Sequence, residues 1–225
     1  MAIRSTVVDP TGGRKINFPK SALAFNYCFG EGLEIGSGAH NSFGLKGSRN
    51  VSPGDTETLV FRDSEVEMCG SYDEIDIIAE GDAIPVEDQS QNYVISSHVF
   101  EHFPDPIRAL LEWYRIVKDG GVIFIIAPKR DAHEPDRERP VSTLDELLSA
   151  HFEQWTVDTV PAEVEKAAGG RRGHYFVWTL ELAKELIETL QMNCGFDATI
   201  LRALHTDDKP GNGWSLILRV KHPES

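Results

Sequence analysis

Two groups of residues in this chain of 225 have types and spacing suited to chemistry. The first is Glu34-Ile35-Gly36-Ser37-Gly38-Ala39-His40-Asn41, a glycine pair directly after a short apolar run. Gly36 and Gly38 let the backbone approach a ligand and adopt turns barred to other residues. A dinucleotide fingerprint requires a third glycine at position 41, where room is needed for pyrophosphate. Asn41 stands there, so the turn suits an adenosine derivative without pyrophosphate, or a tight turn with no ligand. The second group is His98-Val99-Phe100-Glu101-His102. On a rigid helix, two histidines four residues apart share a face and can hold a metal, with the glutamate as base. Pro104 and Pro106 leave barely one helical turn for it. The expectation is therefore a short turn with no metal, His102 being satisfied by a neighbour. His133, His151 and His174 are further proton acceptors, and His174 heads the aromatic run Tyr175-Phe176-Val177-Trp178.

Alternating strand and helix signals must position these residues. Gly32 to Gly36 reads as a strand running into the glycine turn, 49–52 as a second, Ile75 to Ala79 as a third and Tyr93 to Ser96 as a fourth. Asp105-Pro106 opens a helix, with Asp as N-cap and Pro at the first position. Ile107, Leu110, Leu111, Tyr114 and Val117 form its apolar stripe, and Asp119-Gly120-Gly121 is expected to stop it. Val122 to Ala127 is apolar throughout, as in a parallel sheet covered on both faces. After the Pro-rich loop 128–142, Thr143-x-x-Glu146 reads as a capping box. Thr179 opens a helix with Leu182, Ala183, Leu186, Ile187 and Leu190 on one face. Thr199 to His205 and Trp214 to Val220 close the chain as a hairpin around the turn at 206–213. The order implies one α/β domain over 1–225: a doubly wound, mostly parallel seven-stranded sheet with a closing antiparallel hairpin and helices on both faces. Residues 1–29 read as a lead-in against the domain edge.

Composition narrows the partners. The formal charge of −14 argues against phosphate-backbone binding and anionic membranes. Ten Asp or Glu stand against one Arg between Arg62 and Ser90, a stretch expected to be a solvated acidic face. The three cysteines are scattered with no CxxC, which suits reduced thiols and, with no apolar leader at the start, a cytoplasmic setting.

Further motifs add specificity. Gly81-Asp82-Ala83-Ile84-Pro85 leads into Asn92 to Phe103, followed by the Asp105-Pro106 helix and Val117-Lys118-Asp119-Gly120-Gly121. From Gly32 to Pro128 the chain resembles the class I S-adenosylmethionine-dependent methyltransferases, in particular methyltransferase type 11. The resemblance implies a Rossmann-like sheet and S-adenosyl-L-methionine as cofactor. It places Glu34 near the cofactor's amino-acid end or the turn that holds it. Gly36, Ser37 and Gly38 would pass beneath the methionine moiety, Asp82 and Ala83 would meet the adenine, and Ser97 and His98 would face the sulfur and the acceptor. Segments after strand five cover the acceptor in this family. Residues 128–178 are therefore expected to roof it, with Tyr175, Phe176 and Trp178 as walls and His174, His133 or His98 as base.

One departure stands out. Family members carry an Asp or Glu at the end of strand two for the ribose hydroxyls, whereas Ser52 occupies that slot here, with Asp55 nearby. Asp55 substitutes, or the ribose is held weakly, or the chain is a degenerate module that binds cofactor or a partner without turnover. Strand four is followed by Ser96-Ser97-His98-Val99 rather than Asn/Asp-Pro-Pro-Tyr, and no Pro-Cys occurs. Both absences point away from nucleic-acid bases and toward a small or medium-sized acceptor. The third reading is a metal-dependent hydrolase through His98, Glu101 and His102, whose HxxEH spacing matches inverted zinc peptidases.

Overall fold

The computed structural model describes residues 5–8, 14–55, 63 and 65–223, with side chains from residue 18 onward. The lead-in holds β1 (Ser5–Val8) and β2 (Arg14–Asn17), an antiparallel pair in a sheet of its own, followed by α1 (Ala22–Tyr27). The Ser21 side chain caps α1 by accepting from the Ala24 amide, and its hydroxyl reaches Asp208 in the closing hairpin at 2.8 Å. The main sheet comprises β3 (Gly32–Ile35), β4 (Ser48–Ser52), β5 (Ile77–Ile78), β6 (Gln91–Ser97), β7 (Val117–Pro128), β8 (Ala198–Leu204) and β9 (Gly213–Val220). Its order is β5-β4-β3-β6-β7-β9-β8. The first five strands run parallel, and β9 lies antiparallel to both β7 and β8. This is the expected Rossmann-like architecture.

Alternation along the strands splits the core in two. Val94, Ile123, Ile125, Leu216 and Leu218 face α2 (Pro106–Ile116), α4 (Leu144–Phe152) and α6 (Leu180–Asn193). Tyr93, Ile95, Phe124, Ile126 and Ile217 face the other way, covered by Ala24 of α1 and by Phe43. The caps form as expected: Asp105 accepts from the Arg108 amide, Thr143 and Glu146 complete a capping box, and Thr179 accepts from the Leu182 amide. α3 (Glu134–Arg137) and α5 (Ala162–Ala167) are short helices in the segment between β7 and α6.

Two local expectations change, and one crossing takes a form that the sequence leaves open. No helix follows the glycine turn, because 36–47 cross from β3 to β4 as a string of turns. Phe43 and the buried Lys209 hold that crossing in place of helical hydrogen bonds. β7 begins at Val117, so Asp119-Gly120-Gly121 falls inside the strand, where Val117 pairs with Gln91 before a register shift. The buried face of α2 centres on Ile107, Leu110, Trp113 and Ile116, while Leu111 and Tyr114 lie at its margin. Among the described residues no helix is long and apolar enough to cross a membrane.

Candidate active site

A cavity of about 780 Å³ opens at the carboxyl ends of β3, β4 and β6. The glycine turn forms its floor. Gly36 has φ +61°, a left-handed conformation, and its amide donates to the Val51 carbonyl at 2.8 Å. A Cβ there would lie 2.8 Å from Val99 Cγ2. At Gly38 it would lie 2.5 Å from Glu65 Oε1 and 3.0 Å from the His40 ring. The Ser37 amide donates to Asn50 Oδ1 at 3.0 Å, and its hydroxyl lies 2.7 Å from Asp73 Oδ2 and 3.0 Å from Glu34 Oε1. Glu34 does not line the cavity. It braces the turn from behind, also accepting the Phe43 amide at 3.3 Å, and burial raises its carboxyl above the usual range.

The acidic stretch after β4 is solvated at Asp63, Glu67, Glu74, Asp76, Glu87 and Asp88, as expected, but it also reaches inward. Glu65, Asp73, Glu80 and Asp82 from it all line the cavity, beside Asn50, Ser52, Ala83 and Ser97. Two arginines hold part of this charge. Arg108, placed by the Asp105 cap, grips Asp82 Oδ2 through Nε at 2.7 Å and through Nη2. Burial raises Asp82, and the Arg108 bonds oppose that rise. The backbone at 81–84 is pinned to α2 as well, with Trp113 Nε1 donating to the Gly81 carbonyl and the Ile84 amide donating to Glu112. Arg172 bridges Asp55 at 2.8 Å and Glu80 at 2.5 Å. Asp55 lies outside the cavity lining with its carboxylate on that arginine, while Ser52 lines the cavity at the end of β4.

His98 follows β6 with φ +56°, and its amide donates to the Ile126 carbonyl at 2.8 Å. Its Nε2 is buried with no partner, and burial pushes the imidazole down to about 4. Residues 100–102 make a single 3-10 turn. His98 and His102 therefore do not share a helix face, and neither convergent group of potential ligands among the described residues includes His98. His102 lines the cavity, whereas His133 and His174 do not. Both of the latter lie beside Asp136, with His174 Nδ1 at 2.5 Å and His133 Nδ1 at 3.4 Å from Oδ2. Tyr175, Phe176 and Trp178 are core residues rather than cavity walls. Trp178 packs on Phe100 at 4.7 Å between ring centres, filling the layer beneath α6. From the segment after β7 it is Thr156, Val157, Asp158 and Arg172 that reach the cavity.

Sequence reasoning missed Asn50, Glu65, Asp73, Glu80, Arg108 and Arg172. The Asp105-x-x-Arg108 spacing carried a signal for one of them, since a residue in the first turn of α2 must sit near the strand ends.

Residues 33–125 match the model of a methyltransferase-domain family. Over that stretch the chain is similar to the methyltransferase-domain family. It is 30% identical over 88 residues to a Mycolicibacterium smegmatis protein named "Probable S-adenosylmethionine-dependent methyltransferase". That match covers 38% of this chain and 34% of the relative, so the chain spans about a third of its length. Among solved structures, a methyltransferase from Thermotoga maritima superposes with a TM-score of 0.51 at 18% identity, covering 89% of this chain and 86% of that one. A chain from the complex of the Haloferax volcanii Trm112 methyltransferase activator with a methyltransferase also gives 0.51, at 14% identity, covering 89% and 88%. Those two likenesses bear on the fold alone. The cofactor of the family is S-adenosyl-L-methionine.

Proposed function

We propose that this chain transfers the methyl group of S-adenosyl-L-methionine to a small or medium-sized acceptor held in the same cavity. The observation that carries the reading is one continuous space joining the glycine turn, the carboxylates after β4 and the end of β6. The cofactor fits this space in charge and shape. Its sulfonium and ammonium groups are cationic, and the lining presents Glu65, Asp73, Glu80 and Asp82 against Arg108 and Arg172. The cradle at Gly36 and Gly38 is one that a Cβ would fill. In this reading Asp82 and Ala83 meet the adenine. Glu65 and Asp73 supply the carboxylates that the strand-two slot lacks, and Ser97 and His98 border the reacting methyl group. Residues 128–178 act as the acceptor-side cover through Thr156 to Asp158 and Arg172.

When bound, the cofactor supplies an activated methyl group with a neutral thioether as leaving group. What remains for the protein is alignment, a contribution worth roughly 7–11 kcal/mol. With its imidazole pushed down to about 4, His98 is poorly matched to abstracting a proton at neutral pH. It is neutral there and presents an unpartnered Nε2, which suits it to positioning. His133 and His174 lie outside the lining, so the reading assigns neither as a base to the acceptor.

A non-catalytic binding module has one observation in its favour, the capture of Asp55 by Arg172. Methyl-labelled cofactor offered with a panel of small hydroxyl, amine and carboxylate acceptors separates the two. Label should appear in at least one product. Tight cofactor binding with no transfer across the panel would favour the module instead.

A further inference from the structure

Beside the cavity, three side chains able to offer a lone pair converge: Glu101, His102 and His174. His102 Nδ1 lies 2.8 Å from the Arg172 carbonyl and 3.2 Å from the Gly173 carbonyl. Both are acceptors, so Nδ1 carries the ring proton and Nε2 presents a lone pair. His174 Nδ1 lies 2.5 Å from Asp136 Oδ2. Arg139 donates to the other oxygen of that carboxylate at 2.7 Å. His174 therefore also donates from Nδ1 and presents Nε2. The two Nε2 atoms face Glu101 Oε1 at 3.8 and 3.9 Å, beyond hydrogen-bond reach, and all three atoms lie within 4.8 Å of one another.

Glu101 makes this arrangement hard to read as packing alone. Its side chain is 1% exposed, its Oε2 has no partner, and among the described residues no Lys or Arg forms an ion pair with it. Burial pushes its carboxyl up to about 8, so without a cation beside it the group is held neutral and without a hydrogen-bond partner. Metal-bound histidines almost always hand their second ring proton to a carbonyl or carboxylate, as His102 and His174 do here.

We infer that Glu101, His102 and His174 bind one divalent transition-metal ion of the zinc type. Metal–ligand bonds of about 2.0–2.2 Å place tetrahedral ligand atoms about 3.3 Å apart, so closure needs side-chain shifts of about half an ångström toward Glu101 and of up to about 1.5 Å between the two histidines. Three protein ligands leave coordination positions open, and His102 turns them toward the cavity. An oxygen-bearing acceptor there would meet a Lewis acid that His98 cannot replace. That role rests on the methyl-transfer reading, whereas binding of the ion does not. A second convergence, His133 with Asp136 and His174, is the weaker site because Arg139 already neutralises Asp136. The site at Glu101, His102 and His174 departs from the expectation of no metal, which rested on His98 and His102 lacking a rigid helix. The site inferred here uses Glu101 as a ligand and draws its second histidine from position 174.

The test strips the full chain with a chelator and titrates it with Co²⁺, following visible absorption, then displaces the Co²⁺ with Zn²⁺. One equivalent should bind with the bands of a four- or five-coordinate site and raise the thermal midpoint. His174→Ala and Glu101→Gln should abolish the bands, and Asp136→Asn should weaken binding 10–100-fold. His133→Ala should leave the titration unchanged. Should His174→Ala fail to fold, His102→Gln tests the same ligand set. Absence of a stoichiometric Co²⁺ or Zn²⁺ complex in the wild-type chain overturns the inference, as does equal binding in the folded ligand variants. Cofactor affinity, measured on the metal-free chain, fails or holds independently.

Discussion

His98 concentrates the strain and the polarity of the site in one residue. Its φ of +56° is one that asparagine tolerates and a β-branched residue does not. His98→Asn should keep the fold, while His98→Val should cost about 1–3 kcal/mol in urea unfolding. Burial also lowers its imidazole from 6.5 to about 4. Between those values the unfolded chain binds a proton that the folded chain does not. Stability contributed at this position therefore rises with pH from about 4 to 6.5 and is level above. Thermal midpoints across that window should climb less steeply in His98→Asn than in wild type. Identical slopes would mean that His98 titrates normally. Neither property was legible in the sequence, where His98 was one of several histidines near a strand end. Left-handed backbone and a missing partner are consequences of tertiary placement.

At the scale of elements, the closing hairpin does more than complete the sheet. Lys209, from the turn Asp207-Asp208-Lys209-Pro210-Gly211, is fully buried and donates from Nζ to the carbonyls of Asn41 and Ser42. It lies 3.9 Å from the Phe43 ring centre and shares a field with Glu34. The hairpin thus fastens the helix-free crossing that carries Gly36 and Gly38. Lys209→Met keeps the stem but removes the donors, leaving two part-buried carbonyls without this partner at a cost of about 1 kcal/mol each. Amide exchange over 41–44 should accelerate more than exchange in β7. Uniform acceleration would mean the lysine supports the fold generally rather than this crossing. The succession of strands, the closing hairpin and the caps at Asp105, Thr143 and Thr179 were legible because alternation, turn residues and capping pairs are local signals. The missing helix after β3 was not, because a glycine turn after a strand is compatible with either outcome. A lysine in a polar turn likewise reads as exposed until the hairpin folds over the crossing.

Across the whole molecule, the excess of acid has a place. The −14 charge argues against polyanionic partners, and the densest acidic stretch, expected to be a solvated face, also contributes four carboxylates to the cavity wall. The carboxylates are legible as composition. Their convergence is not, because it depends on β5 and the turn at 81–84 folding back beside β3. The central claim is that this cavity, built on the Gly36 turn, holds the cofactor. Isothermal calorimetry with S-adenosylhomocysteine on wild type and Gly36→Val tests it most directly. Valine at φ +61° is strained and collides with Val99, while the carboxylates stay in place. The account predicts a one-to-one binding isotherm for wild type and none for Gly36→Val, with both proteins folded by circular dichroism. No heat with wild type at millimolar ligand, or an unchanged isotherm in Gly36→Val, would contradict it.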